Sequence, residues 1–243
     1  MIDRTPKGRT SLEIRNLSIE VNVNRYAEGS ALIRAGHTHV LCTASIENSV
    51  PPWMVGKGTG WITAEYSMLP RSTHTRSKRD REKISGRTQE IQRLIGRALR
   101  ACIDLKKLGE RSIMIDCDVL QADGGTRTAS VSGGCVALGM ALSKLIHAGK
   151  ISNDVWVDSV SALSVGMKNN QVLVDLDYDE DSTCDVDMNF IMTGKGNFVE
   201  VQGTGEKRAF SQAELIQMTE AAQHGIEQLK LVQFKALDPL LLR

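Results

Sequence analysis

The chain has 243 residues, of which 41% are hydrophobic and 24% are charged, and its formal net charge is +1. A chain of this length and composition can bury a full hydrophobic core, which excludes disordered and fibrous proteins. Because the net charge is near zero, any binding of nucleic acid has to come from a local cluster of Lys and Arg.

The distribution of apolar residues and cysteines indicates where such a protein acts. The N-terminal residues lack the apolar stretch of a signal peptide, and no run of about 18 apolar residues occurs, so we expect a cytoplasmic protein with no membrane contact. Five scattered cysteines form no CxxC pair, and we predict reduced core thiols rather than a zinc site. These cysteines are Cys42, Cys102, Cys117, Cys135 and Cys184.

The first part of the chain predicts a β-meander. Residues 12–23 alternate apolar and polar side chains, as in a strand with a bulge, and residues 30–35 and 39–46 read as a hairpin. A loop rich in Pro and Gly covers residues 51–60, and residues 61–66 form a further predicted strand.

The middle and end of the chain alternate between helices and strands. Apolar residues at helical spacing over residues 88–103 predict a helix. Its N-terminus is expected near Gly86, and the Lys106–Gly109 segment marks its end. A strand over residues 112–120 and a buried helix over residues 128–147 follow. Four strands follow, and a last helix covers 211–229 with a capping box. The ranges of the four strands are 160–167, 172–178, 185–193 and 198–202. We therefore predict a single α+β unit over residues 1–243.

The segment Asp-Gly-Gly-Thr-Arg-Thr at 123–128 joins a predicted strand to a predicted helix. Glycines let the backbone approach an anion, the helix start offers N–H donors, and Thr126 and Arg127 add a hydroxyl and a guanidinium. A tight turn with a solvated Arg explains the same pattern equally well. The segment is neither a Walker A loop nor a Rossmann fingerprint. Arg87 lies in the first turn of the preceding helix, which favours a second anion contact.

Acidic residues crowd the stretch from Asp175 to Asp187, and Asp185 and Asp187 share a strand face. Carboxylates this close suit Mg²⁺ bridged to substrate phosphates, or they form a solvated acidic loop. Residues 71–83 are dense in cations and lack apolar side chains. This segment is predicted to be a loop that binds phosphate backbones without sequence choice, and the absence of aromatic residues speaks against base stacking there.

Five motifs together resemble the ribonuclease PH family, whose members remove nucleotides from RNA 3′ ends by phosphorolysis, and the resemblance runs through nearly the whole chain. The motifs lie at residues 60–70 (GWITAEYSMLP), 84–97 (ISGRT followed by EIQRLIGR), 123–128 (DGGTRT), 180–189 (EDS and DVDMN) and 200–204 (EVQGT).

The resemblance implies specific roles for several residues. Inorganic phosphate, the co-substrate, would bind to Arg87, Gly125, Thr126 and Arg127. Asp181 and Asp187 would be the catalytic pair, binding Mg²⁺ or serving acid catalysis. The RNA-binding residues of the basic loop would be Arg71, Arg76, Lys78, Arg79 and Arg81.

The resemblance also implies a fold, an assembly and an activity. The fold would be like the second domain of ribosomal protein S5 with its β-α-β-α halves duplicated, and the assembly a homohexamer built as a trimer of dimers. The activity would be trimming of tRNA precursors with release of nucleoside diphosphates. Two alternatives are a catalytically inactive RNA-binding ring subunit, which would lack an arginine or the acidic pair, and a metal-dependent hydrolytic nuclease, which would release monophosphates.

Overall fold

The computed structural model describes Arg4, residues 8–79 and residues 84–241. Its elements follow the predicted order of strands, helix, strand, helix, strands and helix, and the fold is α+β. Two sheets, each with helices on one face, correspond to the two strand-helix cycles of the sequence.

The N-terminal sheet has five strands in the order β1-β2-β3-β5-β4. Its strands are β1 (Leu17–Val21), β2 (Gly29–Ala35), β3 (Thr38–Glu47), β4 (Trp61–Met68) and β5 (Ser112–Gln121). All neighbours are antiparallel except β4 and β5, which run parallel. The parallel pair is possible because a helix crosses over between these two strands.

Two long helices cover the buried face of this sheet. Helix α1 (Gly86–Arg100) packs on β4, a single turn α2 (Leu105–Leu108) follows it, and α3 (Thr126–His147) lies across β2, β3 and β5. Helix α3 is long and apolar enough to cross a membrane, but 83% of its most apolar window is buried in the fold. Helix α3 is therefore a core helix. It is apolar on every side because it also packs against the second sheet.

The C-terminal sheet is antiparallel, in the order β7-β6-β8-β9, and carries its own core. The elements of this half are β6 (Val160–Lys168), β7 (Gln171–Val174), α4 (Tyr178–Asp181), β8 (Val186–Thr193), β9 (Phe198–Thr204) and α5 (Gln212–Ala236). Buried Gln233 of α5 donates to the carbonyls of Ser132 in α3 and Val160 in β6, both at 3.0 Å. The two halves are thus joined by hydrogen bonds as well as by packing.

Three predicted elements were too long. The first strand covers Leu17–Val21 instead of residues 12–23. Helix α1 ends at Arg100 rather than near residue 103, because Ile103 instead forms a β-bridge with Trp156. The predicted strand 172–178 stops at Val174, where Asp175 takes a left-handed backbone (φ 55°) and turns the chain into α4.

Candidate phosphorolytic active site

Two consecutive glycines shape the turn between β5 and α3. Gly124 and Gly125 both have left-handed backbones, with φ of 72° and 65°. A Cβ on Gly124 would lie 2.5 Å from the Leu176 carbonyl oxygen, and one on Gly125 would lie 2.9 Å from Arg15 Nη2. Only glycine therefore fits this backbone against the β7–α4 connection.

Four side-chain contacts hold this turn in place. The Thr38 hydroxyl donates to the Gly124 carbonyl at 2.6 Å and accepts from the Asp123 N–H at 3.0 Å. Arg15 Nη1 donates to the Asp123 carbonyl at 2.6 Å, and the hydroxyls of Tyr66 and Thr126 lie 2.9 Å apart. The position of Thr126 is thus fixed by strands β3 and β4 as well as by its own helix.

Helices α1 and α3 both begin beside this turn. Neither has an acidic residue in its first turn, and among the described residues no side chain caps the N-terminus of α3. Arg87 is exposed in the first turn of α1, and Arg127 is half-buried in the first turn of α3. Each arginine stands at the positive end of a helix dipole, an arrangement that a bound anion stabilises.

The acidic pair comes from the C-terminal half. Asp181 ends α4, whose capping box is formed by Asp177 and Glu180, and buried Glu180 accepts from Arg4 Nε at 2.8 Å and from Arg9 Nη2 at 3.0 Å. Partial burial raises the pKa of Asp181, although the nearby guanidinium groups oppose the rise. The helix end that carries this carboxylate is therefore anchored by the N-terminal segment.

Asp187 projects from β8 into the same region. Burial first, and then the negative charge of Asp181, raise the pKa of Asp187. Its Oδ1 atom is buried and has no hydrogen-bond partner within the described residues. A buried carboxylate oxygen without a partner is costly, so this atom is suited to receive a proton or a cation.

One cavity of about 750 Å³ is lined by the glycine turn, the two helix starts and the acidic pair. The predicted site residues among its lining are Arg87, Gly125, Thr126, Arg127, Asp181 and Asp187. Asp185, which the sequence pattern placed on the same strand face as Asp187, does not line the cavity, and its Oδ2 accepts from the Asn169 N–H at 3.0 Å.

The basic loop begins at the rim of this cavity. Thr73 lines the cavity, and the Ser72 carbonyl accepts from the Ala122 N–H at 2.8 Å, which ties the loop to the glycine turn. The exposed cations of its described part are Arg71, Arg76, Lys78 and Arg79. The remaining predicted RNA-binding residue, Arg81, lies outside the described residues.

Two family models match this chain, the 3′ exoribonuclease family domain 1 over residues 13–143 and domain 2 over residues 158–225. It is 57% identical over 233 residues to ribonuclease PH of Bdellovibrio bacteriovorus, with 96% of both chains covered. Ribonuclease PH of Bacillus mycoides is 55% identical at the same coverage. The chain belongs to the ribonuclease PH family.

Membership of the ribonuclease PH family identifies the reaction. The chain is a phosphorolytic 3′→5′ exoribonuclease, a tRNA nucleotidyltransferase for which inorganic phosphate is a substrate. The structure of rice Rrp46 matches with a TM-score of 0.78 at 15% identity, covering 96% of this chain and 100% of that one. The structure of the Archaeoglobus fulgidus exosome with RNA bound to the active site matches with a TM-score of 0.77 at 21% identity, covering 93% of this chain and 91% of that one. At these identities the two structures establish a common fold.

Several residues of the ribonuclease PH cavity were not predicted. Gln202 and Glu90 form hydrogen bonds around Arg127, and the carboxyl of Glu206 adds a third negative charge next to Asp181 and Asp187. Gln202 belongs to the 200–204 motif and Glu90 to the 84–97 motif, and these two motifs were the available signals. Nothing in the sequence near Glu206 distinguishes it from other surface carboxylates.

Proposed function

We propose that Arg87, Thr126 and Arg127 hold the attacking inorganic phosphate, with Gly125 allowing the backbone to approach it. The observation that carries this proposal is that helices α1 and α3 both begin at the cavity that also contains the acidic pair. Each of the two helices has an arginine in its first turn. A phosphate there has two guanidinium groups, one hydroxyl and helix N–H groups as partners. The protein needs no covalent nucleophile because the phosphate itself is the nucleophile.

In the proposed reaction, an oxygen of the bound phosphate attacks the phosphorus of the terminal phosphodiester. The bond from that phosphorus to the 3′-oxygen of the preceding nucleotide breaks, and this oxygen leaves with a proton. The products are a nucleoside diphosphate and an RNA shortened by one nucleotide. The arginines stabilise the negative charge that gathers on the transferring group, and nucleotide addition from diphosphates is the reverse reaction.

We further propose that Asp181 and Asp187 act on the leaving oxygen, either as an acid or as ligands of Mg²⁺. The raised pKa values favour a protonated carboxyl that can act as the acid, and the unpartnered Oδ1 of Asp187 fits a cation. Among the described residues, no group of three or more His, Cys, Asp or Glu is placed to hold a metal by itself. The donor set thus fits Mg²⁺ held jointly by carboxylates, waters and substrate phosphates. When bound, the ion would neutralise developing charge on oxygen.

The basic loop is proposed to bind the tRNA precursor. Its cations are exposed and its base is hydrogen bonded to the glycine turn, so a backbone held there would lead its 3′ end into the cavity. The residues proposed to contact the RNA are Arg71, Arg76, Lys78, Arg79 and Arg81. Such contacts bind phosphates without reading the base sequence.

We propose that the two family domains act as one unit in the cytoplasm and assemble as a homohexamer, a trimer of dimers. The hydrogen bonds of Gln233 between the halves support the single unit. The fold shared with an archaeal exosome core supports ring assembly, and β9 is an edge strand that exposes Phe198 and Val201. Native mass spectrometry should then give a hexamer mass that dissociates through dimers.

The deciding experiment is incubation with a 3′-extended tRNA, with and without inorganic phosphate, followed by identification of the released nucleotide. The proposal expects nucleoside diphosphates, and only when phosphate is present. Release of monophosphates without phosphate would indicate a hydrolytic nuclease, and no release would indicate an inactive RNA-binding subunit. Phosphate labelled with ¹⁸O should appear in the diphosphate and nowhere in the shortened RNA.

A further inference from the structure

A single aromatic side chain, Tyr178, is present among the described residues that line the cavity. It is 55% exposed, in contrast to Tyr66 beneath the glycine turn, which is 5% exposed. Within the described residues no aromatic ring and no cation lies on the face of Tyr178. Its ring is therefore open to a ligand in the cavity.

The backbone of Tyr178 is fixed although its side chain is exposed. Its N–H donates to Asp123 Oδ1 at 3.2 Å, and a Cβ on Gly124 would lie 2.9 Å from its nitrogen. Tyr178 also opens α4, the turn that ends at Asp181 and that Arg4 and Arg9 anchor through Glu180. The backbone that carries the ring is thus attached both to the phosphate-binding turn and to the helical turn that ends at Asp181.

We propose that Tyr178 stacks on the base of the 3′-terminal nucleotide, the one that leaves as the diphosphate. This inference rests on the proposed function. An exonuclease that removes every nucleotide in turn needs a contact that accepts any base, and an aromatic ring provides one because every base has a π-face. The basic loop contains cations, which bind phosphates, and no aromatic residue, so it offers no ring on which a base could stack.

The position of Tyr178 selects the terminal base over the preceding one. In-line displacement puts the incoming phosphate and the departing 3′-oxygen on opposite sides of the phosphorus, and the terminal nucleoside is attached between them through its 5′-oxygen. Tyr178 is hydrogen bonded to the turn that is proposed to hold the incoming phosphate, and it begins the helical turn that ends at Asp181, which is proposed to act on the departing oxygen. A residue attached to both ends of the reaction stands beside the phosphorus, where the terminal nucleoside is bonded.

The test combines enzyme variants with a substrate change. Tyr178→Ala is expected to raise the KM for RNA, and for a nucleoside diphosphate in the synthetic direction, by about tenfold, as loss of one stacking contact does. The KM for inorganic phosphate should stay unchanged, and Tyr178→Phe should behave as the wild type. Tyr26→Ala, which removes a tyrosine that is 83% exposed on the β1–β2 connection, is the matched control and should have no effect.

The substrate change is an RNA whose last nucleotide lacks its base. It should weaken the wild-type enzyme by the same factor as Tyr178→Ala, with no further loss when the two changes are combined. Additive losses, or an unchanged KM for the diphosphate in Tyr178→Ala, would overturn the inference while leaving phosphorolysis intact. A wild-type enzyme that released no diphosphate would overturn the proposed function and this inference with it.

Discussion

Arg127 Nη1 donates a 2.6 Å hydrogen bond to the side-chain oxygen of Gln202, a residue of β9 that is 75 positions further along the chain. The amide nitrogen of Gln202 in turn donates to Glu90 Oε1 at 2.6 Å, and this oxygen lies 3.6 Å from Arg127 Nη1. Helix α1 and strand β9 therefore fix the guanidinium of a residue on α3. One edge of the guanidinium is used by these contacts, which leaves its remaining donors for the cavity.

The first prediction is that Gln202→Ala raises the KM for inorganic phosphate by about tenfold, the effect of losing one hydrogen bond to a charged group. The kcat at saturating phosphate should change little, because Arg127 remains present. Phosphate titration of diphosphate release measures both constants. Gln212→Ala, an exposed glutamine at the start of α5, is the control. An unchanged phosphate KM in Gln202→Ala would show that Arg127 does not depend on this contact.

The second prediction concerns Arg127 itself. Arg127→Ala should lower phosphate-dependent kcat/KM by about 100-fold or more, the loss typical of removing a group that stabilises transition-state charge. Arg127→Lys should recover only part of this loss, since an ammonium keeps the charge but lacks the planar fork. Arg34→Ala on the outer part of β2 serves as the control for removing a surface arginine. Full phosphorolysis by Arg127→Ala would refute the phosphate site.

Local sequence patterns predict only part of the cavity lining. The positions of Arg87, Thr126 and Arg127 at helix starts were predictable because the capping residue or glycine that begins each helix is local in sequence. Gln202, Glu90 and Tyr178 reach the cavity through tertiary contacts between distant elements, which no local periodicity encodes. The same cause ended α1 early, since apolar residues continue past Arg100 but Ile103 pairs with Trp156 instead.

The third prediction separates backbone strain from collision at the glycine turn. Gly125→Ala should destabilise the protein by the roughly 1–2 kcal/mol that a left-handed alanine costs, and further because its Cβ would meet Arg15 Nη2 and Thr128 Oγ1. Gly149 has the same φ of 65°, and no atom of the described residues lies within 4 Å of the position its Cβ would take. Gly149→Ala should therefore show the strain alone and keep full activity. Urea unfolding and phosphate KM measure the two effects. Equal behaviour of the two variants would contradict the crowding at Gly125.

The fourth prediction concerns the buried pair beneath the turn. Burial raises the pKa of Asp175, but the charge and hydrogen bonds of Arg15 outweigh burial and hold this pKa below its ordinary value. The pair therefore stabilises the fold above about pH 4, and this contribution is lost as the pH falls through the lowered pKa. Asp175→Asn leaves Arg15 buried without its partner, which should cost about 3–5 kcal/mol at neutral pH.

Unfolding free energies at neutral and acidic pH test this relation. The deficit of Asp175→Asn should shrink at the acidic end, where the wild-type carboxyl is also protonated. Asp154→Asn breaks an exposed pair with Lys107 and should have little effect at either pH. A deficit for Asp175→Asn that stays the same at all pH values would assign the loss to packing instead of charge.

The last prediction is that Asp187→Asn removes activity while it stabilises the fold. Because its pKa is raised, the ionised carboxyl of Asp187 costs stability, and this cost grows as the pH rises from about 4, near the ordinary value of 3.8, through the raised pKa. A neutral amide avoids the cost, so Tm at neutral pH should rise above that of the wild type. The gain should vanish below about pH 4, where folded and unfolded carboxyls are both protonated.

Asp185→Asn, two positions earlier and outside the cavity, should retain activity without the gain in Tm. Undiminished turnover in Asp187→Asn would remove this residue from catalysis, and a lower Tm at neutral pH would show that its negative charge is satisfied in the folded protein.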